Sequence, residues 1–208
     1  MTTPDESANG TTPVGPANPT TPANLTTPDE PAGSADPTTP SGSAGRPLTW
    51  VVGAGGLIGS HVVTALLAAG HDVGTARVPW DDEDAATTAL ATAMQRFAAA
   101  RRGRPWAVAW CAGAGVVATG PAELAAEVRV FTRAMAALAE TVDPGEDGVV
   151  FLASSAGGVY AGSEGAPFDE RTVPRPLVAY GRAKLAMELE AARLAHQTGL
   201  RVVIGRLA

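Results

Sequence analysis

The 208-residue chain contains two tyrosines and a single lysine, and the lysine follows the second tyrosine by four residues in Tyr180-Gly-Arg-Ala-Lys184. On a helix that spacing puts both side chains on one face, a turn apart. All other fixed positive charge on side chains is arginine, which marks this position as one that uses an ammonium. The chemistry such a pair can do is proton exchange. A phenol ionises at about 10 and must come down by about three units, roughly 4 kcal/mol, to act as an acid or base near neutrality. A neighbouring ammonium and a helix N-terminus both stabilise the phenolate. Tyr-x-x-x-Lys also occurs as an ordinary amphipathic pair on helix surfaces, and it is the place of this one after a strand that distinguishes it.

About 25 residues earlier lies Ser154-Ser-Ala-Gly-Gly-Val-Tyr160, at the carboxyl end of an apolar run. A hydroxyl there can hydrogen-bond a substrate carbonyl while the tyrosine exchanges its proton. It can equally satisfy the backbone of its own Ser/Gly loop, and the spacing leaves open which of Ser154 and Ser155 would act. A hydrolase triad is rejected: there is no G-x-S-x-G turn, and His61, His71 and His196 are poor triad partners and have no metal-ligand spacing.

A third group of residues is Gly53-Ala-Gly55-Gly56-Leu57-Ile58-Gly59. Placed between a strand and a helix, its glycines permit a tight turn and a close backbone approach, so that the first helical amides face a pyrophosphate. The spacing is G-x-x-G-x-x-G with an additional Gly55, rather than G-x-G-x-x-G. The acid that usually holds an adenosine ribose is expected at the end of the next strand. Asp72 comes too early for that role, and Arg77 stands at the strand end instead. Arg77 is either a solvated arginine or a partner for a 2′-phosphate, which leaves NAD or NADP open and tilts the balance toward NADP.

These residues must be positioned by the elements around them. Apolar runs at Leu48–Val52, Asp72–Arg77, Trp106–Cys111, Gly148–Ala153 and Leu200–Ile204 read as strands. Helical stretches alternate with them at Leu57–Ala69, Asp81–Arg102, Pro121–Glu140 and Leu177–Thr198. Acids open the second helix, Arg101 and Arg102 close it, and proline opens the third. Alternation of this kind calls for an α/β fold, a doubly wound parallel sheet with helices on both faces and ligands at the carboxyl ends of its strands.

The first 47 residues differ in kind. They hold 10 of the 17 prolines, 10 threonines, and five acids against the single base Arg46, with almost no large apolar side chain. Such a segment cannot bury enough surface to offset its ordering entropy, so a disordered Pro/Thr-rich tail and linker are expected over 1–47, ahead of one domain over 48–208. That domain has 16 acids and 14 bases. Near-neutrality argues against nucleic acid and anionic membrane as partners. The lone Cys111 excludes an internal disulfide and a cysteine-based metal cluster, and no secretory signal or spanning segment is apparent, so a cytoplasmic protein is expected.

Jointly, these motifs resemble the extended branch of the short-chain dehydrogenase/reductase superfamily, the NAD-dependent epimerase/dehydratase family. Val52 to Ser60 resembles its glycine fingerprint, Gly70-His-Asp-Val73 its second-strand entry, and Cys111-Ala-Gly113 the motif after its fourth strand. Phe168-Asp-Glu170, Pro174, Pro176 and Tyr180 to Lys184 resemble the stretch that enters its catalytic helix. The resemblance covers about residues 48–208 and implies a Rossmann-like domain. It also implies cofactor contacts from Ala112 and Gly113, Tyr180 as general acid/base, and Lys184 on the nicotinamide ribose. Ser155 would orient a small-molecule substrate, typically a nucleotide sugar, and members often dimerise through the helices matching Pro121–Glu140 and Leu177–Thr198.

The sequence departs from the family in four places. Ala156 stands four residues before Tyr160, where a hydroxyl is common, and Arg129 stands where many members carry asparagine. No third strand with its adenine-contacting aspartate is recognisable between Trp80 and Trp106, unless Asp81 or Asp82 substitutes. No counterpart of the family's carboxyl-terminal substrate region is expected among these 208 residues. A non-catalytic dinucleotide-binding module, a fragment or a redox-sensing regulator, is therefore the alternative to an enzyme.

Overall fold

The computed structural model describes residues 45–113, 119–143, 146 and 148–208. All but the last three residues of the expected tail lie outside these. The elements run β1 (Leu48–Val52), α1 (Leu57–Ala68), β2 (Asp72–Thr75), α2 (Glu83–Ala100), β3 (Trp106–Trp110), α3 (Pro121–Ala139), β4 (Gly148–Ser155), α4 (Ala156–Val159), α5 (Ala179–Thr198) and β5 (Arg201–Leu207). The five strands form one parallel sheet in the order β2-β1-β3-β4-β5.

That order explains why no third strand is legible between Trp80 and Trp106. A single helix, α2, crosses directly from β2 to β3, so β2 is the edge of the sheet. Its first turn is set by local chemistry. Asp82 is the N-cap, accepting from the amides of Asp84 at 3.0 Å and Ala85 at 2.9 Å, with Glu83 and Asp84 following in the dipole-favoured positions. Pro121 opens α3 after Gly120, and Gly199, at φ +71°, ends α5 in the left-handed conformation.

Right-handed crossovers put α1 on one face of the sheet and α2, α3 and α5 on the other, which makes the fold a Rossmann-like, doubly wound α/β sheet. The main core lies on the three-helix side. Alternate residues of β1 and β3, including Trp50, Trp106 and Trp110, meet Phe97 and Leu90 of α2, Phe131 and Met135 of α3, and Met187 of α5. Trp110 packs edge-on against Phe131 with ring centroids 4.9 Å apart.

Several boundaries differ from the sequence reading. β2 stops at Thr75, leaving Arg77 two residues beyond the ladder, and β4 and β5 run on to Ser155 and Leu207 because they pair with each other out to those two residues. Arg101 closes α2 as expected. Its burial comes from tertiary contacts rather than the helix dipole: its guanidinium donates to Glu146 and Thr141 and stacks 4.5 Å from the Trp106 ring centroid. No described helix is long and apolar enough to cross a membrane.

Candidate functional site

Chain direction reverses at the sheet centre: β1 leads outward to β2, whereas β3 leads the other way to β4. The loops leaving β1 and β3 therefore separate at their carboxyl ends and leave a crevice, the place where open α/β sheets take ligands. The glycine turn forms one wall. Gly53 has φ +83°, and a Cβ there would lie 2.6 Å from the Ala112 backbone, so only glycine lets the two loops meet. The turn closes by a bond from the Gly56 amide to the Gly53 carbonyl at 3.0 Å, and α1 begins immediately after.

Gly53, Gly55, Gly56, Arg77, Ala112 and Gly113, all singled out from the sequence, line one depression of about 420 Å3 together with Ala54, Ala76, Val78, Trp80 and Cys111. Leu57 and Ile58 stand exposed on the first turn of α1, and Gly59 is the one buried residue of that helix. Burial pushes the Cys111 thiol up from its ordinary value, so it is a poor nucleophile there. Trp80, Ala112 and Gly113 also line a second depression of about 450 Å3, walled by Trp110, Val130 and the carboxylate-bearing Asp81, Glu83, Glu123 and Glu127. The shared residues make the two continuous along the mouth of the sheet. Asp81 therefore borders the cleft, while Asp82 is spent on capping α2.

Lys184 reaches from α5 to Gly113, which lines both depressions. It is 6% exposed, and its Nζ donates to Glu127 Oε1 at 3.0 Å. Both groups press on Gly113, where a Cβ would come within 2.9 Å of each, and whose φ is +152°. Tyr180 lies one turn earlier with its ring centroid 5.7 Å from Lys184 Nζ. The tyrosine ring in turn lies over Gly158 of α4, where a Cβ would sit 3.1 Å from two ring carbons. The tyrosine and lysine thus come together at the carboxyl end of the sheet.

The two serines divide. Ser154 is buried, and its Oγ donates to Glu188 Oε1 at 2.5 Å. Glu188, itself buried, holds Arg206 through both carboxylate oxygens, and Arg206 donates to the Tyr160 hydroxyl, which donates to the Asp169 carbonyl at 2.9 Å. Glu188 holds the Arg206 guanidinium well above its ordinary value. Ser155 is the half-buried N-cap of α4, accepting from the Gly158 amide at 3.2 Å. Ala156, Tyr160, Phe168, Asp169, Glu170, Ile204 and Arg206 border a further depression of about 530 Å3 at the ends of β4 and β5.

Sequence reasoning missed Glu127, Glu188 and Arg206. Glu127 is one of two acids on its helix, and its partner lies 57 residues away; no spacing rule reaches that far. Arg129, noted from the sequence instead, pairs at 2.7 Å with Glu83 on the wall of the second depression. Trp80 carried a local signal, a large aromatic in a loop just past a strand. No group of three or more described His, Cys, Asp or Glu side chains is placed to hold a metal.

The profile of the family described as NAD dependent epimerase/dehydratase matches residues 49–208. Among solved structures, the chain is similar to UDP-glucose 4-epimerase with UDP-glucose from Thermotoga maritima, at 24% identity and TM-score 0.59, covering 76% of this chain and 54% of that one. It is similar to MoeE5 in complex with UDP-glucuronic acid and NAD, at 26% identity and TM-score 0.58, covering 75% and 52%. It is also similar to TunA, an NAD dependent NDP-hexosamine 5,6-dehydratase of tunicamycin biosynthesis, at 20% identity and TM-score 0.57, covering 76% and 53%. The chain thus spans about half the length of these proteins. No curated protein matches it in sequence.

Proposed function

The chain belongs to the NAD dependent epimerase/dehydratase family, and from that membership we propose that it binds NAD or NADP in the cleft between β1 and β3 and acts on a nucleotide sugar, with Tyr180 as general acid/base. The observation that carries this reading is the meeting of Tyr180, Lys184 and Gly113 at the mouth of the sheet that the glycine turn also borders. The cleft fits a dinucleotide: two depressions joined along Trp80, Ala112 and Gly113, with glycine where a Cβ would block the backbone approach. Gly53, Gly55, Gly56 and the amides of Leu57, Ile58 and Gly59 would hold its phosphates, and Lys184 its nicotinamide ribose. Bound there, the nicotinamide supplies the hydride acceptor and donor. Tyr180 Oη takes the proton of the substrate hydroxyl or returns it, and the Lys184 ammonium steadies the phenolate.

Arg77 borders the cleft beside the glycine turn and is exposed, a placement that supports pairing with a 2′-phosphate and hence NADP over NAD. Ser155, at the end of β4, would orient the substrate. UDP-sugars are the first substrates to try, because two of the similar structures are described with UDP-glucose or UDP-glucuronic acid. The adjoining faces of α3 and α5 would serve a homodimer.

One observation favours a second reading, a dinucleotide-binding module without catalysis. Ala156 offers no hydroxyl, and Ser155 already spends its own on capping α4. Fluorescence titration with NADH and NADPH, followed by turnover of UDP- and dTDP-sugars by the parent and Tyr180→Phe, separates the two. Binding with Tyr180-dependent turnover is expected. Binding with no turnover on any such sugar would establish the module, and absence of binding would overturn both.

A further inference from the structure

Lys184 is nine-tenths buried beside a cleft assigned to a dinucleotide, and a lone ammonium there would act on whatever charge the ligand brings. The charge that differs between redox forms lies on the nicotinamide ring: oxidised NAD has a cationic ring, and NADH has a neutral one. An unbalanced lysine near the ribose would therefore weaken the oxidised form selectively. This chain places Glu127 Oε1 3.0 Å from the Lys184 ammonium, with its side chain only 15% exposed. Both groups lie against Gly113, which lines both halves of the cleft.

We propose that Glu127 is a positioning and charge-balancing residue for the cofactor: paired with Lys184, it brings the nicotinamide end of the cleft close to neutrality and so preserves affinity for the oxidised form. The inference rests on the cofactor reading above. The other charges bordering the depression that Glu127 lines do not replace this carboxylate. Glu83 is engaged by Arg129 and Arg133 at the surface, and Asp81 and Glu123 come from the β2–α2 connection and the first turn of α3 rather than from beside Lys184. A carboxylate in direct contact with a largely buried ammonium acts through a lower effective dielectric than these.

The test uses two dissociation constants on the same protein, one for NAD and one for NADH, measured by calorimetry or fluorescence with no substrate present. If NADP is the preferred cofactor, its oxidised and reduced forms are used instead. Glu127→Gln keeps the shape and removes the charge, and it is expected to weaken the oxidised form by about five- to tenfold relative to the reduced one. Glu127→Asp should retain most of the parent ratio. Lys184→Gln carries the opposite sign, since the carboxylate is then unbalanced and the ratio should move toward the oxidised form. A purely structural role would weaken both forms alike, and an unchanged ratio in Glu127→Gln and Lys184→Gln would overturn the proposal. Should Glu127→Gln fail to fold, the neutral Glu127→Asn decides by the same ratio. If the parent binds neither redox form of either cofactor, the functional reading itself falls and this inference falls with it.

Discussion

At the scale of single residues, the catalytic reading depends on how a tyrosine ring is held. Tyr180 rests on Gly158, and a methyl group at that glycine would stand 3.1 Å from two of the ring carbons and 3.3 Å from Gly181 Cα. Gly158→Ala should therefore displace the ring by a few tenths of an ångström. Such misplacement would cost rate far more than affinity, because proton exchange depends steeply on geometry whereas the glycine turn, on the proposed reading, would hold the dinucleotide elsewhere. We expect kcat on a turned-over sugar to fall by about tenfold or more, with cofactor Kd within about twofold of the parent. The two serines give a second contrast. Ser154→Ala removes a hydrogen bond to a buried, arginine-bound carboxylate and should lower unfolding free energy in urea by about 1–3 kcal/mol. Ser155→Ala removes only a cap on a four-residue helix, about 1 kcal/mol, but should cut kcat/KM if Ser155 orients the substrate. A large stability loss without a kinetic one at Ser155 would argue against that role. The pairing of Tyr180 with Lys184 was legible because helix periodicity fixes a four-residue spacing. The fates of Ser154 and Ser155 were not, because Glu188, which claims Ser154, is set by packing 34 residues away.

At the scale of elements, the alternation of strands and helices could be read from apolar runs and caps, whereas the sheet order could not. Nothing in the stretch from Asp81 to Arg102 says which strand the chain will join next. What the sequence did carry was negative: no apolar run there could make a strand, and α2 accordingly crosses straight to β3. The far end of that helix is fixed by the Arg101 guanidinium, buried against Trp106 and bonded to Glu146 at 2.7 Å and 2.9 Å. Arg101 holds the Glu146 carboxyl below the usual carboxylate range. A carboxyl depressed in the folded state contributes stability that is fully present above its unfolded value, about 4.3, and that is lost as the pH falls through the folded value. Glu146→Gln should therefore destabilise the protein at neutral pH, by about 2 kcal/mol, because the buried guanidinium loses a charged partner. The gap between variant and parent should close as the pH is lowered below about 4. Urea midpoints measured across that range check it; a gap independent of pH would show that the ion pair is not what fastens α2 to the segment before β4.

At the scale of the whole molecule, one face of the sheet is well covered and the other is not. The three-helix side encloses the tryptophan-rich core, while on β5 Val203 and Leu207 remain 45% and 41% exposed and α1 buries only Gly59. The cleft, by contrast, draws its walls from the β1–α1, β2–α2 and β3–α3 connections and from α3, with Lys184 of α5 packed against Gly113. A ligand that bridges these parts binds only when all are in place, so its binding free energy adds to the stability of the whole unit. A dinucleotide at about a hundred times its Kd should raise unfolding free energy by about 2.7 kcal/mol, and the thermal midpoint should climb with the logarithm of its concentration. Trp80 supplies an internal check. It is 44% exposed and borders both halves of the cleft, whereas Trp50, Trp106 and Trp110 are buried. Cofactor should therefore quench the emission of Trp80 selectively, and Trp80→Phe should lose most of that quenching while keeping the thermal shift. Quenching undiminished in both Trp80→Phe and Trp110→Phe would move the binding site away from the β1–β3 crevice, and with it the functional reading built on that crevice.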